Sequence, residues 1–85
     1  MQEKMYSIEY SKPALKFLKK QSPKTQAEII SDINGLPWKG NIIKLHGREK
    51  EYRLKTHGFR VIFKTEHDRL IVLVLDIDNR GDVYK

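Results

Sequence analysis

Five residues of this chain combine useful chemistry with a spacing that can bring them together: Arg53, Lys55, Arg60, Arg80 and Tyr84. In Glu51–Thr56 (EYRLKT) polar and apolar residues alternate. On a strand, Tyr52 and Leu54 then point one way and Arg53 and Lys55 the other, roughly 6–7 Å apart. In Phe59–Lys64 (FRVIFK) the alternation sends Phe59, Val61 and Phe63 to the core and leaves Arg60 and Lys64 outward. His57-Gly58 between the two runs is a hairpin signal. The pattern therefore predicts Arg53, Lys55 and Arg60 on one polar surface. Arg80 leaves the end of a long apolar run, and Tyr84 follows four residues later. Three arginines, a lysine and a tyrosine around one surface suit a phosphodiester, because arginine holds phosphate oxygens with planar, permanently charged donors. Solvent-facing cations that discourage edge-to-edge aggregation would produce the same alternation, which alone does not separate the two.

The elements that must position these residues are also readable. Met5–Tyr10 (MYSIEY) alternates as a first strand. Ser11 is placed as an N-cap with Pro13 in the first turn, and Ala14 to Lys20 reads as a helix. Its apolar stripe is Ala14, Leu15, Phe17 and Leu18, with Lys12, Lys16, Lys19 and Lys20 on the other side. Ser22-Pro23 repeats the start signal for a second helix to about Asn34, burying Ala27, Ile30 and Ile33, with Asn34-Gly35 as its stop. Leu36 to Gly47 is expected to be a loop folded back on the core through Trp38, Ile42, Ile43 and Leu45. After the two alternating runs and a turn at Glu66-His67-Asp68, Leu70–Leu75 (LIVLVL) is the pattern of a central strand buried on both faces. The predicted architecture is α+β: an N-terminal strand, a helical hairpin, then an antiparallel three-stranded meander with the helices packed on the sheet.

Eighty-five residues make one domain, 1–85. The absence of cysteine excludes disulfides and fits a reducing cytosol. No stretch approaches the roughly 20 apolar residues of a membrane span, and Met1–Tyr10 has no long apolar run, so a cytoplasmic location is expected. No carboxylate pair or His/Cys cluster has metal-ligand spacing, so neither a metal nor another cofactor is expected. Seventeen Lys and Arg against eleven Asp and Glu give a net charge of +6, which favours a polyanionic partner. From Lys12 to Lys24 there are five lysines and no acid, while Asp76, Asp78 and Asp82 crowd the other end.

Four segments in combination resemble the RelE/ParE toxin superfamily over essentially the whole chain from Met5. They are Tyr52-Arg53-Leu54-Lys55, Gly58-Phe59-Arg60-Val61-Ile62-Phe63, Leu73-Val74-Leu75 and Asn79-Arg80-Gly81-Asp82-Val83-Tyr84. The resemblance implies a RelE-like βααβββ fold and a toxin held in check by a cognate antitoxin. It further implies a ribosome-dependent endoribonuclease that cuts mRNA in the A site. The ribose 2′-OH attacks the adjacent phosphate and leaves a 2′,3′-cyclic phosphate and a 5′-hydroxyl. The ParE branch of the same fold, which inhibits DNA gyrase and has no nuclease site, is the alternative. A non-catalytic RNA-binding module would need stacking aromatics among the outward cations, where this sequence has few.

By position, Arg53 and Lys55 match the family's two strand lysines, Arg60 its central arginine and Tyr84 its terminal tyrosine. The chain departs from the pattern at Arg53, and its tail arginine and tyrosine are more closely spaced. The implied catalytic residues are Lys55, Arg60, Arg80 and Tyr84. Arginine is a poor base, so Arg53 and Arg60 are expected to clamp phosphate. Lysine accepts a proton when crowding by cations or burial favours its neutral form, which makes Lys55 the expected base. Arg80 would stabilise the phosphorane or leaving group, and Tyr84 would stack on a base or orient the 2′-OH. His57, in the turn, is a candidate phosphate-binding or proton-transfer group, whereas His46 and His67 read as surface loop residues. Lys12, Lys16, Lys19 and Lys20 are expected to grip the ribosomal RNA backbone.

Overall fold

The computed structural model describes residues 5–45, 47 and 51–79. Strand β1 (Ser7–Tyr10) leads into helix α1 (Lys12–Lys19), and helix α2 (Pro23–Ile33) follows. Each helix starts where its serine cap predicts: Ser11 Oγ accepts from the Ala14 amide and Ser22 Oγ from the Thr25 amide, both at 3.2 Å. Strands β2 (Asn41–Lys44), β3 (Glu51–Thr56), β4 (Phe59–Glu66) and β5 (Ile71–Asn79) complete a five-stranded sheet in the order β1-β5-β4-β3-β2. The α+β class, the helical hairpin and the antiparallel β3-β4-β5 meander agree with the sequence reading. In addition β1 pairs parallel with β5, and β2 pairs antiparallel with β3.

Both helices cover one face of the sheet. Ala14, Leu18, Ile29 and Ile33 from the helices, with Leu36, close over Leu54, Val61, Phe63, Val72, Val74 and Ile77. Burying such side chains supplies most of what holds a domain this small together, at about 1.5–3 kcal/mol each. The tip of the β3–β4 hairpin takes positive φ at both His57 (48°) and Gly58 (83°), the backbone that matches a two-residue turn to the strand twist.

Several expectations need correction. Asn41–Lys44 is an edge strand rather than a loop: it is only four residues long, and its two isoleucines are adjacent, so it carries no alternation to mark it. Of the residues expected to fold back on the core, Ile42 packs there, whereas Trp38 (49 %) and Ile43 (43 %) stay exposed. Leu15 is 42 % exposed among the lysines of α1, and Ala27 is exposed while Ile29 is buried. An eight- and an eleven-residue helix contain too few apolar positions to fix which side faces inward. The apolar run of β5 is covered on one side by the helices, while Ile71, Leu73 and Leu75 on the remaining positions are only half-buried.

One irregularity sets the register between β4 and the C-terminal half of β5. Phe63 pairs with Val74, but the next residue back, Ile62, pairs with Asp76, so Leu75 has no partner in β4. This β-bulge shifts the alternation, which is why the buried residues of β5 run Val72, Val74 and then Ile77. Ser11 Oγ donates to the Leu75 carbonyl at 2.6 Å, and Ser11 N–H to the Val74 carbonyl at 2.9 Å, tying the start of α1 to the bulge.

Candidate functional site

Among the described residues nothing covers the other face of the sheet, and the register decides what stands on it. Lys55 lies directly opposite Arg60, and Arg60 directly opposite Asp78. With Asn41 opposite Lys55 on β2, one row crosses four strands: Asn41, Lys55, Arg60, Asp78. The neighbouring row is Ile43, Arg53, Ile62, Asp76. The sequence-predicted convergence of Arg53, Lys55 and Arg60 is therefore found, and Lys64 extends the cationic strip along β4. Directly opposed and diagonal side chains on one face lie about 5–8 Å apart, within reach of a single phosphodiester.

Arg60 does not stand alone. Its Nε donates to Asp78 Oδ1 at 3.1 Å and its Nη2 to Asp78 Oδ2 at 2.9 Å, a two-pronged contact that fixes the guanidinium plane. The side chains of the pair are 30 % and 45 % exposed, so the contact orients more than it stabilises. Asp78 was not among the residues singled out from sequence. The sequence carries no trace of the shift, since Leu73, Leu75 and Ile77 keep one alternation; it shows only in the burial of Val72, Val74 and Ile77 and in the register with β4. On the adjoining row the Arg53 Nε is buried and meets no hydrogen-bond partner among the described residues, a condition that costs about 1–3 kcal/mol and that an anionic acceptor would relieve.

His57 is directed elsewhere. Its Nε2 lies 3.4 Å from Asp32 Oδ2 of α2, and the same carboxylate oxygen accepts the hydroxyl of Thr56. The turn residue thus joins the hairpin tip to the helix layer rather than to the cationic row. His67 is exposed, as read from sequence, yet both ring nitrogens are engaged, Nδ1 with Tyr6 Oη at 2.5 Å and Nε2 with Thr65 Oγ1 at 3.3 Å. Arg80 and Tyr84, like His46, lie outside the described residues; Arg80 is next in sequence to the last residue of β5.

A second basic surface lies on α1. Lys12, Leu15, Lys16 and Lys19 recur at three- and four-residue steps and line one open depression with Pro13, and Lys20 caps the helix C-terminus. Among the described residues no three His, Cys, Asp or Glu side chains gather as metal ligands, and no helix is long and apolar enough to cross a membrane.

A five-stranded sheet covered on one side by a helical hairpin, with Arg53, Lys55, Arg60 and Lys64 on the other side, defines a small α+β domain. That architecture is the fold of the RelE toxins. The chain superposes on archaeal RelE in its complex with RelB from Pyrococcus horikoshii with a TM-score of 0.74, at 22 % identity over 92 % of this chain and 98 % of that one. Against the isolated Escherichia coli RelE toxin the TM-score is 0.74, at 21 % identity over 93 % and 90 % of the two chains. The RelBE2 toxin–antitoxin complex of Mycobacterium tuberculosis gives 0.73, at 20 % identity over 88 % and 98 %. No protein-family model matches the sequence, and neither does any curated protein.

Proposed function

We propose that this protein is the toxin of a toxin–antitoxin pair and acts as a ribosome-dependent endoribonuclease that cuts mRNA by attack of a ribose 2′-OH. The observation that carries the reading is the alignment of Lys55, Arg60 and Asp78 in one row, beside Arg53, on the open face of a RelE fold. Such a face does what 2′-OH attack requires of a protein: it holds the phosphate, offsets the charge that grows on the phosphorane, and moves protons. Arg53 and Arg60 clamp phosphate and Lys55 transfers a proton. Arg80 and Tyr84 complete the site from the tail, the arginine stabilising charge and the tyrosine stacking on or orienting the nucleotide. The protein's own cations supply the charge stabilisation, so no metal takes part.

The lysines of α1 point to how the substrate is delivered. Lys12, Lys16, Lys19 and Lys20 present point charges from one short helix and its C-cap, which suits ribosomal RNA backbone. The complexes formed by the structural relatives support a cognate antitoxin here as well. An acidic segment laid over the cationic face would neutralise it, and the pair would act in the cytoplasm.

Induction of the protein in cells, followed by mapping of transcript 5′ ends, tests the reading. Cuts confined to translated frames are expected. Intact transcripts accompanied by a DNA-damage response would instead identify the gyrase-inhibiting branch of the fold.

A further inference from the structure

In-line displacement at phosphorus places the attacking and leaving oxygens on opposite sides of the phosphorane. A site for it therefore needs a proton acceptor and a proton donor on opposite sides of whatever group holds the phosphate. The row across the open face has that order. Adjacent strands lie about 4.8 Å apart, so Lys55 on β3 and Asp78 on β5 flank Arg60 on β4 at roughly equal distances. We infer that Asp78 is the proton acceptor of the cleavage reaction and Lys55 the proton donor, with Arg60 between them on the phosphate. This rests on the endoribonuclease reading and reassigns Lys55, expected from sequence to be the base.

The chemistry favours this division. A carboxylate accepts a proton as it stands, whereas a lysine ammonium must first lose one; the same ammonium is ready-made to give a proton to an alkoxide. The contacts of Asp78 with Arg60 at 2.9 and 3.1 Å leave it at the edge of any phosphate that meets the guanidinium. The bulge at Leu75 is what turns Asp78 toward this face: without the shift, Ile77 would stand outward and Asp78 would point at the helices. Among the described residues the charged groups on the face of Asp78 are Arg60 and Lys55 in its row, Asp76 next along β5, and Arg53 and Lys64 beyond.

The step balances. The Asp78 carboxylate takes the proton of the 2′-OH, and the 2′-oxygen forms a bond to phosphorus. The P–O5′ bond breaks with its electron pair on the 5′-oxygen, which takes a proton from the Lys55 ammonium. The products are a 2′,3′-cyclic phosphate and a 5′-hydroxyl, and solvent returns the proton from Asp78 to Lys55.

The test is single-turnover cleavage of mRNA on programmed ribosomes as a function of pH, by the full chain and its Asp78→Asn, Asp78→Glu and Lys55→Ala variants. Each is measured on ordinary mRNA and on mRNA carrying sulfur in place of the bridging 5′-oxygen at the cleaved bond, whose thiolate leaves without a proton. Asp78→Asn is expected to slow cleavage 100- to 1,000-fold with ribosome affinity unchanged, to lose the acidic limb of the pH–rate profile, and to gain nothing from sulfur. Asp78→Glu should restore part of the rate, and Lys55→Ala should be rescued by sulfur. An Asp78→Asn variant that keeps the acidic limb, that loses only affinity, or that sulfur rescues overturns the assignment while the nuclease reading stands. A parent chain that leaves programmed mRNA uncut on both substrates removes the nuclease reading and the assignment with it.

Discussion

Ser11 holds two elements with one hydroxyl: it accepts from the Ala14 amide at 3.2 Å and donates to the Leu75 carbonyl at 2.6 Å. The first contact starts α1 and the second satisfies the residue that the β5 bulge leaves without a strand partner. Ser11→Ala removes both. Loss of an N-cap costs about 1 kcal/mol, and an unmet, part-buried carbonyl adds about 1 kcal/mol, the low end of the buried range. For a domain of this size each kcal/mol shifts Tm by about 4–8 °C, so a Tm lowered by at least 8 °C in a thermal melt is expected. A shift under 2 °C would mean that the bulge is held by the strands alone.

A second stability prediction concerns alkaline pH. Burial pushes the Tyr10 phenol above its ordinary value of 10.0. The folded protein thus keeps this group neutral where the unfolded chain would ionise it. The resulting stabilisation is fully present below pH 10 and is lost as pH rises through the higher folded value. Denaturant midpoints measured from pH 8 to 11 should fall more steeply above pH 10 in the parent than in Tyr10→Phe. Parallel curves would show that the phenol ionises without cost to the fold.

What could be read from the sequence, and what could not, follows the range of each signal. Caps and turns are local, so Ser11, Ser22 and His57-Gly58 were placed correctly from neighbouring residues alone. Strict alternation over six residues fixed the side on which Arg53, Lys55 and Arg60 emerge. Asn41–Lys44 has no alternation and borrows its strand character from pairing with β3, information absent from its own four residues. The Arg60–Asp78 pair depends on a one-residue slip between two strands, and the Asp32 contacts of Thr56 and His57 join residues 24 or more apart. Pairings of that kind are set by tertiary packing, which periodicity does not record.

The α1 lysines are predicted to bind without reading sequence. Reversing two of them, as in Lys16→Glu with Lys19→Glu, leaves the buried Ala14 and Leu18 untouched. Ribosome association should weaken and its log–log salt dependence should flatten, because fewer counterions are released on binding. Equal affinity of variant and parent at low salt would reduce this face to a solubility feature.

On the toxin reading, an antitoxin is expected to cover the face that carries Arg53, Lys55, Arg60 and Lys64. Co-expression with a small acidic protein encoded beside this one should relieve toxicity and yield a complex that survives gel filtration. Charge reversal at Arg53 or Lys64, outside the Lys55–Arg60–Asp78 row, should weaken that complex and raise its salt sensitivity. If no neighbouring reading frame protects the cell, the toxin reading loses its partner.

The site itself makes the last prediction. Arg60 and Lys55 emerge from the open face of the sheet, opposite the buried Val61 and Leu54 side, where truncation typically changes stability by about 0.5 kcal/mol. Losing a contact made only in the transition state costs about 3 kcal/mol, or 100- to 1,000-fold in rate. Arg60→Ala and Arg80→Ala should therefore give folded, non-toxic proteins that still associate with ribosomes, since the α1 lysines are unchanged. Arg60→Ala also frees Asp78 from its bidentate partner, so its melting temperature should fall only by the small amount a half-exposed ion pair contributes. Lys55→Ala should remove the alkaline limb of the pH–rate profile, where a protonated donor runs out. Tyr84→Phe keeps the ring and discards the hydroxyl, so a mild effect assigns Tyr84 to stacking and a loss comparable to Arg60→Ala assigns it to the 2′-OH. Full toxicity of both Arg60→Ala and Arg80→Ala would exclude a nuclease built on this face, and a gyrase supercoiling assay would then be the measurement to make.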